Sequence, residues 1–278
     1  MVLADPRHQA AGWTPAASEL RPGLPVFALA EPQEVPWDGA MARARGIYGF
    51  DSIDARSRSF NMIRARLLAL QMEQGWRMIG VVSATPNVGK SFISANVAAA
   101  LSRDPRFTTH VVDLDLRRGS LSRFFGLEPE SGINGYLDGT SDRPATYRLE
   151  GESLVILPTV AGQVRSAELL ANRQAQTLLR SMRESHEKNL FIIDLPPVFA
   201  NDDAATTMAR LDAYILVAEE GKTRQREIHD VVSLLGRDRL AGVILNKYRG
   251  GLLSEGYGIA DYYAHGYAED INGDGGED

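Results

Sequence analysis

A chain of 278 residues can hold one large α/β domain with extensions, or two small domains, and no more. Its 44 % apolar and 24 % charged residues exclude disorder throughout, and the absence of cysteine excludes disulfides, thiol chemistry and cysteine-ligated zinc, as suits a reducing, cytoplasmic compartment. A formal net charge of −6 is not the basic footprint of a nucleic-acid binder, so no nucleic-acid partner is expected.

Residues 1–47 hold six of the thirteen prolines and keep no period of two or 3.6, which predicts an extended or disordered leader. Met1 to Leu20 lacks a basic region followed by an apolar run, and no stretch approaches a membrane span. Trp13 and Trp37 stand in the leader either as docking points or as incidental apolar residues. From Ser57 the pattern becomes helical: Phe60, Ile63, Leu67 and Leu70 share one face, with Arg58, Arg64 and Arg66 off it, and Gly75 ends the helix. Short apolar runs then alternate with helical ones. Strands are predicted at 78–83, 108–114, 154–158, 190–195, 213–218 and 241–246, and helices at 90–102, 166–185, 202–211 and 223–234. Nearly continuous apolar strands separated by helices imply a mostly parallel, doubly wound α/β sheet with helices on both faces. The five histidines lie too far apart for a metal site and read as surface or capping residues. The expected organisation is a leader over 1–47, a domain over 48–248 and an acidic, tyrosine-rich mobile tail over 249–278.

The chemistry gathers at predicted strand ends. The first strand runs into Ala84-Thr85-Pro86-Asn87-Val88-Gly89-Lys90-Ser91, and a helix follows, which is the setting in which backbone N–H groups cradle phosphates. Thr85 to Phe92 therefore form a nucleotide-binding set, with Lys90 reaching the β- and γ-phosphates and the Ser91 hydroxyl on magnesium. Ala84 and Asn87 stand where such loops usually carry glycine, although asparagine tolerates positive φ better than most residues. Asp113, Asp115 and Arg117 follow the second strand in the pattern Asp-Leu-Asp-Leu-Arg, suited to metal binding, proton abstraction and charge compensation. Asp194 ends another apolar strand before Pro196-Pro197, and with Ser91 and Asp115 makes the expected magnesium set. Gly221-Lys222-Thr223 imitates a second phosphate loop, but Leu216 lies in a strand five residues earlier, and Thr223 reads better as a helix N-cap. Asn246-Lys247-Tyr248-Arg249 departs from the guanine-reading pattern of GTPases at Arg249, where an acid is needed, so ATP is favoured over GTP.

On these residues the sequence resembles the bacterial tyrosine kinases of capsule and exopolysaccharide synthesis, a P-loop NTPase group, over about residues 57–267. The resemblance rests on Ser83-Ala84-Thr85-Pro86 before Gly89-Lys90-Ser91, on Asp113/Asp115/Arg117, on Asp194 with Pro196-Pro197-Val198, on Gly221-Lys222-Thr223-Arg224, on Gly242 to Asn246, and on the C-terminal tyrosines. It implies an ATP- and Mg2+-dependent enzyme with Lys90, Asp113, Asp115 and Asp194 as catalytic residues, Asp113 or Asp115 taking the proton from a tyrosine hydroxyl. It further implies that Asn246 contacts adenine and that Tyr257, Tyr262, Tyr263 and Tyr267 accept phosphate in trans within a ring-shaped homo-oligomer. The implied partners are a cytoplasmic segment of a membrane polysaccharide co-polymerase, which would hold the chain at the inner membrane, and a protein-tyrosine phosphatase. The family's Glu-x-x-Arg-x-x-Arg contact motif aligns with Arg58, Asn61 and Arg64, of which only the last matches. Two other readings remain: a partitioning-type ATPase, which would place a lysine at Thr85, and a nucleotide-bound scaffold of an exporter without phosphoryl transfer.

Overall fold

The computed structural model describes residues 31–162, 165–200 and 203–248. Eight strands form one sheet: β1 (Gln33–Val35), β2 (Met78–Ser83), β3 (Thr108–Asp113), β4 (Tyr147–Leu149), β5 (Leu154–Leu157), β6 (Asn189–Asp194), β7 (Ala213–Glu219) and β8 (Leu240–Asn246). Their spatial order is β1-β4-β5-β3-β6-β2-β7-β8, and every neighbouring pair is parallel except β4 with β5. The described helices are α1 (Gly39–Ala44), α2 (Arg58–Gln74), α3 (Lys90–Ser102), α4 (Leu121–Phe125), α5 (Ile133–Leu137), α6 (Ser166–Ala171), α7 (Arg173–Glu184), α8 (Asp203–Met208) and α9 (Gln225–Leu235).

Alternation along the central strands divides the core in two. Ile79, Val81, Val111, Leu190, Ile192, Ile215 and Val217 face α1 to α4, while Met78, Val82, Val112, Phe191, Ile193, Tyr214 and Leu216 face α5 to α9. Both faces are covered, so β2, β6 and β7 are apolar almost throughout, as a parallel sheet requires, whereas β3 buries Thr109 and His110 beside Val111 and Val112. At about 25 cal/mol per Å2 each such apolar side chain contributes roughly 1.5–3 kcal/mol of transfer free energy. Chain connections leave β2 toward β3 on one side and reach β7 on the other, which opens a crevice at its carboxyl end.

Helix α2 buries Phe60, Leu67, Leu68 and Leu70, and Gly75 closes it in the left-handed conformation with φ 71°. The leader departs from expectation. β1 and α1 form inside it, Ala42 and Ile47 are buried, and Trp37 packs edge-on against Phe50 and tilted against Phe125. The chain therefore joins the fold well before residue 48. The cause is tertiary: the Asn96 carboxamide of α3 accepts from the backbone N–H groups of Tyr48 and Gly49 and donates to the carbonyl of Gly46. A three-residue strand and a six-residue helix are too short to show a period.

Other corrections are local. The helix expected over 166–185 breaks at Asn172, whose side chain caps α7 by accepting from Ala175 N–H. Thr223 is not the N-cap of α9; Arg224 is, and the Thr223 hydroxyl accepts from Glu219 N–H. His110 is neither a surface nor a capping residue. It is buried in β3 and stacked on Phe191 at 4.8 Å. Trp13 and the expected tail over 249–278, with Tyr257, Tyr262, Tyr263 and Tyr267, lie outside the described residues. No helix among the described residues is long and apolar enough to cross a membrane.

Candidate functional site

The turn after β2 delivers the Lys90 and Ser91 side chains to one cleft at the carboxyl end of the sheet. Gly89 sits at φ 90° and Asn87 at φ 67°, so this turn needs left-handed backbone at two points. A side chain at Gly89 would collide with the Asn246 carboxamide, which donates to the carbonyl of Val88 at 2.8 Å. Val88 itself is buried in the core and anchors the turn. The N–H groups of the first turn of α3 have no helical carbonyl to bond, and with the helix dipole they favour an anion in front of them.

Inside the cleft the Lys90 ammonium donates to Asp194 Oδ1 at 2.8 Å and lies 3.6 Å from Asp115 Oδ2. The hydroxyls of Ser91 and Ser94 donate to the Asp194 carboxylate at 2.6 and 3.0 Å. Asp194 is fully buried, Asp115 nearly so, and Lys90 is 7 % exposed. Burial pushes the Asp115 carboxyl above the usual range, with the Lys90 charge pulling the other way. Asp113 lies deeper: one oxygen accepts from Asp115 N–H and the other from Leu121 N–H. Burial first, and the Asp194 carboxylate second, raise it well above the ordinary carboxylate range.

The cavity has a volume of about 180 Å3 and is lined by Lys90, Ser91, Asp115, Arg118, Arg123 and Pro197 among others. That is less than the roughly 300–1,000 Å3 of a site enclosing a whole small ligand. It suits the phosphate end of a nucleotide. Ser91, Asp115 and Asp194 offer a hydroxyl and two carboxylates, all hard oxygen donors, and Mg2+ is commonly held by one or two carboxylates plus substrate phosphates. The chemistry of this donor set fits magnesium, and the ammonium of Lys90 fits the phosphates.

Several expected residues stand elsewhere. Arg117 does not line the cleft: it is exposed and its Nε donates to Ser166 Oγ at 2.9 Å. Strand alternation carried past Asp113 would have aimed it inward, but β3 ends at that residue and a turn follows. The turn brings Arg118 round instead, and its guanidinium donates to Asn87 Oδ1 at 2.7 Å. Asn246 secures the loop from behind and is not part of the cleft lining. Thr85 contributes a carbonyl that accepts from Ser83 Oγ, whereas Pro86, Asn87 and Phe92 line the cleft. Gly221 lies in a turn at φ 68°, and Lys222 pairs with Glu219 at 3.2 Å, so no second phosphate loop forms. Sequence reading missed Ser94, Arg118 and Arg123. Ser94 stood one helical turn from Lys90, which is a signal it could have used.

Comparison with known proteins gives the family. Residues 79–264 match the model of the CobQ/CobB/MinD/ParA nucleotide binding domain. The chain is 28 % identical over 271 residues to the putative tyrosine-protein kinase EpsB of Ralstonia nicotianae, covering 91 % of this chain and 35 % of that protein. It is 31 % identical to the succinoglycan biosynthesis transport protein ExoP of Rhizobium meliloti, over 66 % of this chain and 24 % of that one. The chain thus spans about a third or less of the length of these relatives. The crystal structure of the VpsO kinase domain is similar at a TM-score of 0.61 and 27 % identity, over 70 % of this chain and 97 % of that one. The chain therefore belongs to the CobQ/CobB/MinD/ParA family of nucleotide-binding domains, and within it is similar to bacterial tyrosine-protein kinases.

Proposed function

We propose that this chain is the catalytic domain of an ATP-dependent tyrosine autokinase acting in exopolysaccharide synthesis and export. The observation that carries this reading is the meeting of Lys90, Ser91 and Asp115 in one cleft at the start of α3, with Asp194 buried beneath and bonded to Lys90 and Ser91. The names of the relatives support it. Mg2+-ATP supplies the transferable phosphoryl group and the cation. The loop N–H groups would orient the phosphates, Lys90 would offset the charge on the phosphoryl oxygens as the phosphoryl group passes to the tyrosine oxygen and ADP leaves, and Ser91 and Asp194 would hold the metal. Asp115, which lines the cleft with its affinity for a proton raised by burial, takes the proton from the attacking tyrosine Oη. Asp113 positions this residue through its backbone N–H.

The substrate tyrosines in this reading are Tyr257, Tyr262, Tyr263 and Tyr267 of a neighbouring copy, with a phosphatase resetting them and a membrane co-polymerase segment activating the domain. The degenerate contact motif counts against a strong ring. Asn61 is engaged by Arg103 and donates to the carbonyl of Ser52, and Arg64 pairs with Asp104 at 3.5 Å, so both serve their own chain. The test is anti-phosphotyrosine blotting of the purified protein with and without Mg2+-ATP, beside a variant with Phe at the four tail positions. The expected result is signal in the wild type alone. Nucleotide binding without any phosphotyrosine would overturn the kinase reading in favour of the scaffold.

A further inference from the structure

At the amino ends of β2, β6 and β7, opposite the cleft, a second cavity of about 310 Å3 is lined by Gln176, Leu179, Arg180, Arg183, Ala209 and Arg210. Three guanidinium groups on α7 and after α8 thus face one hollow. Two are held within the fold. Arg183 donates to Asp212 Oδ1 at 2.9 Å and to the carbonyl of Arg210, and Arg210 donates to the carbonyl of Thr206. Arg180 is different. Among the described residues its side chain makes no hydrogen bond or ion pair, although it is half-buried at the cavity wall. Among the described residues Asp212 is the single acid bonded to this cluster, and it already accepts from the N–H groups of Arg77 and Met78. The hollow carries excess positive charge and one guanidinium ready for an anion.

The charge that matches it is in the same sequence. Residues 249–278 contain seven acids and one arginine, so they hold the whole formal charge of −6 and leave the rest of the chain with equal numbers of acids and bases. We propose that the acidic tail of this chain, through the stretch around Glu269-Asp270, docks its carboxylates in the arginine-lined cavity formed by α7 and the end of α8. Reach permits it. The tail leaves from Tyr248 at the carboxyl end of β8, and the cavity lies roughly seven residues back along the strands and two to three strands across, or about 25–30 Å away. About 20 residues separate Tyr248 from Glu269, and a stretch of that length spans about 25 Å r.m.s. even as a coil, so its length suffices. Arg180 supplies the guanidinium fork that suits a carboxylate, and Arg183, one helical turn away on α7 and engaged by Asp212 and the Arg210 carbonyl, adds positive charge beside it.

A chain without cysteine allows a direct test in these 278 residues. Ala209→Cys on the cavity wall is combined with Ala268→Cys in the tail, and the rate of intramolecular disulfide formation under mild oxidation is compared with that of Ser52→Cys, an exposed site elsewhere, with the same tail cysteine. Docking predicts a rate roughly tenfold above the control through its higher effective concentration. That advantage should vanish in Arg180→Gln, which breaks no bond of the fold, and at about 0.5 M salt, where the screening length falls below about 5 Å. Equal rates at the two sites, an advantage that survives Arg180→Gln, or a disulfide found only between chains would each overturn the proposal. No catalysis enters the assay, so a protein that proves inactive as a kinase still gives a clear answer.

Discussion

At the carboxyl ends of β2, β3 and β6 three carboxylates surround one ammonium group inside the protein, whereas at the amino ends of β2, β6 and β7 one carboxylate, Asp212, anchors arginines at the surface. The first arrangement is incomplete by design of its charges. Burial raises the Asp113 and Asp115 carboxyls, and a bound cation would relieve that cost. The second is largely complete within the fold, because Asp212 ties two backbone N–H groups and Arg183 together where helices meet strands. Clusters of opposite sign at the two ends of the same strands therefore do different work. The first awaits a cation, and the second closes the structure through Asp212 while leaving Arg180 to an anion.

The sharpest way to break this contrast is to remove one charge from each end. Lys90→Met should lower the phosphorylation rate about a thousandfold, since phosphoryl transfer depends chiefly on positioning and charge stabilisation. It should also cost about 3–5 kcal/mol of stability at neutral pH without ligand, because Asp194 loses its counter-ion while buried. Asp212→Ala should cost about 1–3 kcal/mol, the penalty for N–H groups left without an acceptor near the surface, and change the rate less than about twofold. Urea denaturation beside a phosphorylation assay measures both. If Asp212→Ala slowed the reaction as much as Lys90→Met, the two ends would not be separable.

A smaller effect probes the dry strand between the two ends. Burial pushes the His110 imidazole down to about 4, below its ordinary 6.5. The unfolded chain then binds a proton that the folded one refuses, so the contribution of His110 to stability falls as pH drops from about 6.5 to about 4. The loss should be on the order of 3 kcal/mol across the full interval. His110→Phe keeps a ring against Phe191 and removes the titrating group. Its unfolding free energy, measured in urea at pH 7 and pH 4.5, should lose less on acidification than that of the wild type. An unchanged acid slope would place the titration elsewhere.

How far the sequence could be read follows from the same physics. Strands β2, β6 and β7 were legible because burial on both faces leaves apolar runs, β3 by Val111-Val112 before Asp113, and the loop before α3 because its Gly-Lys-Ser lies between a strand run and a helical run. β1, α1 and α5 were not, since segments of three to six residues held by distant partners such as Asn96 have no local signature. In the site, Lys90, Ser91 and Asp194 converge as their spacing suggested. Arg117 and Arg118 exchange places because side-chain alternation ends where β3 does, and no pattern in the sequence marks that residue.

The smallest expected effect concerns Asn87, where the loop carries asparagine in place of glycine. Its φ of 67° is a region open to glycine at no cost and to asparagine at a modest one. Asn87→Gly should relieve that strain but add freedom to the unfolded chain and lose the bond that Asn87 Oδ1 accepts from Arg118, an exposed contact of small worth. These terms nearly cancel, so the stability change should stay within about 0.5 kcal/mol. The Asn87 carbonyl still receives the Lys247 ammonium at 2.7 Å, because that contact uses the backbone. Nucleotide affinity should therefore change by less than about threefold, whereas Asn87→Val, a branched side chain at positive φ, should cost about 1–3 kcal/mol and weaken binding with it. Calorimetric titration with Mg2+-ADP and urea melts of the two variants give the answer. A glycine variant that binds tenfold more tightly would show that asparagine holds this loop back, and the cleft would then be limited by its backbone as well as by its charges.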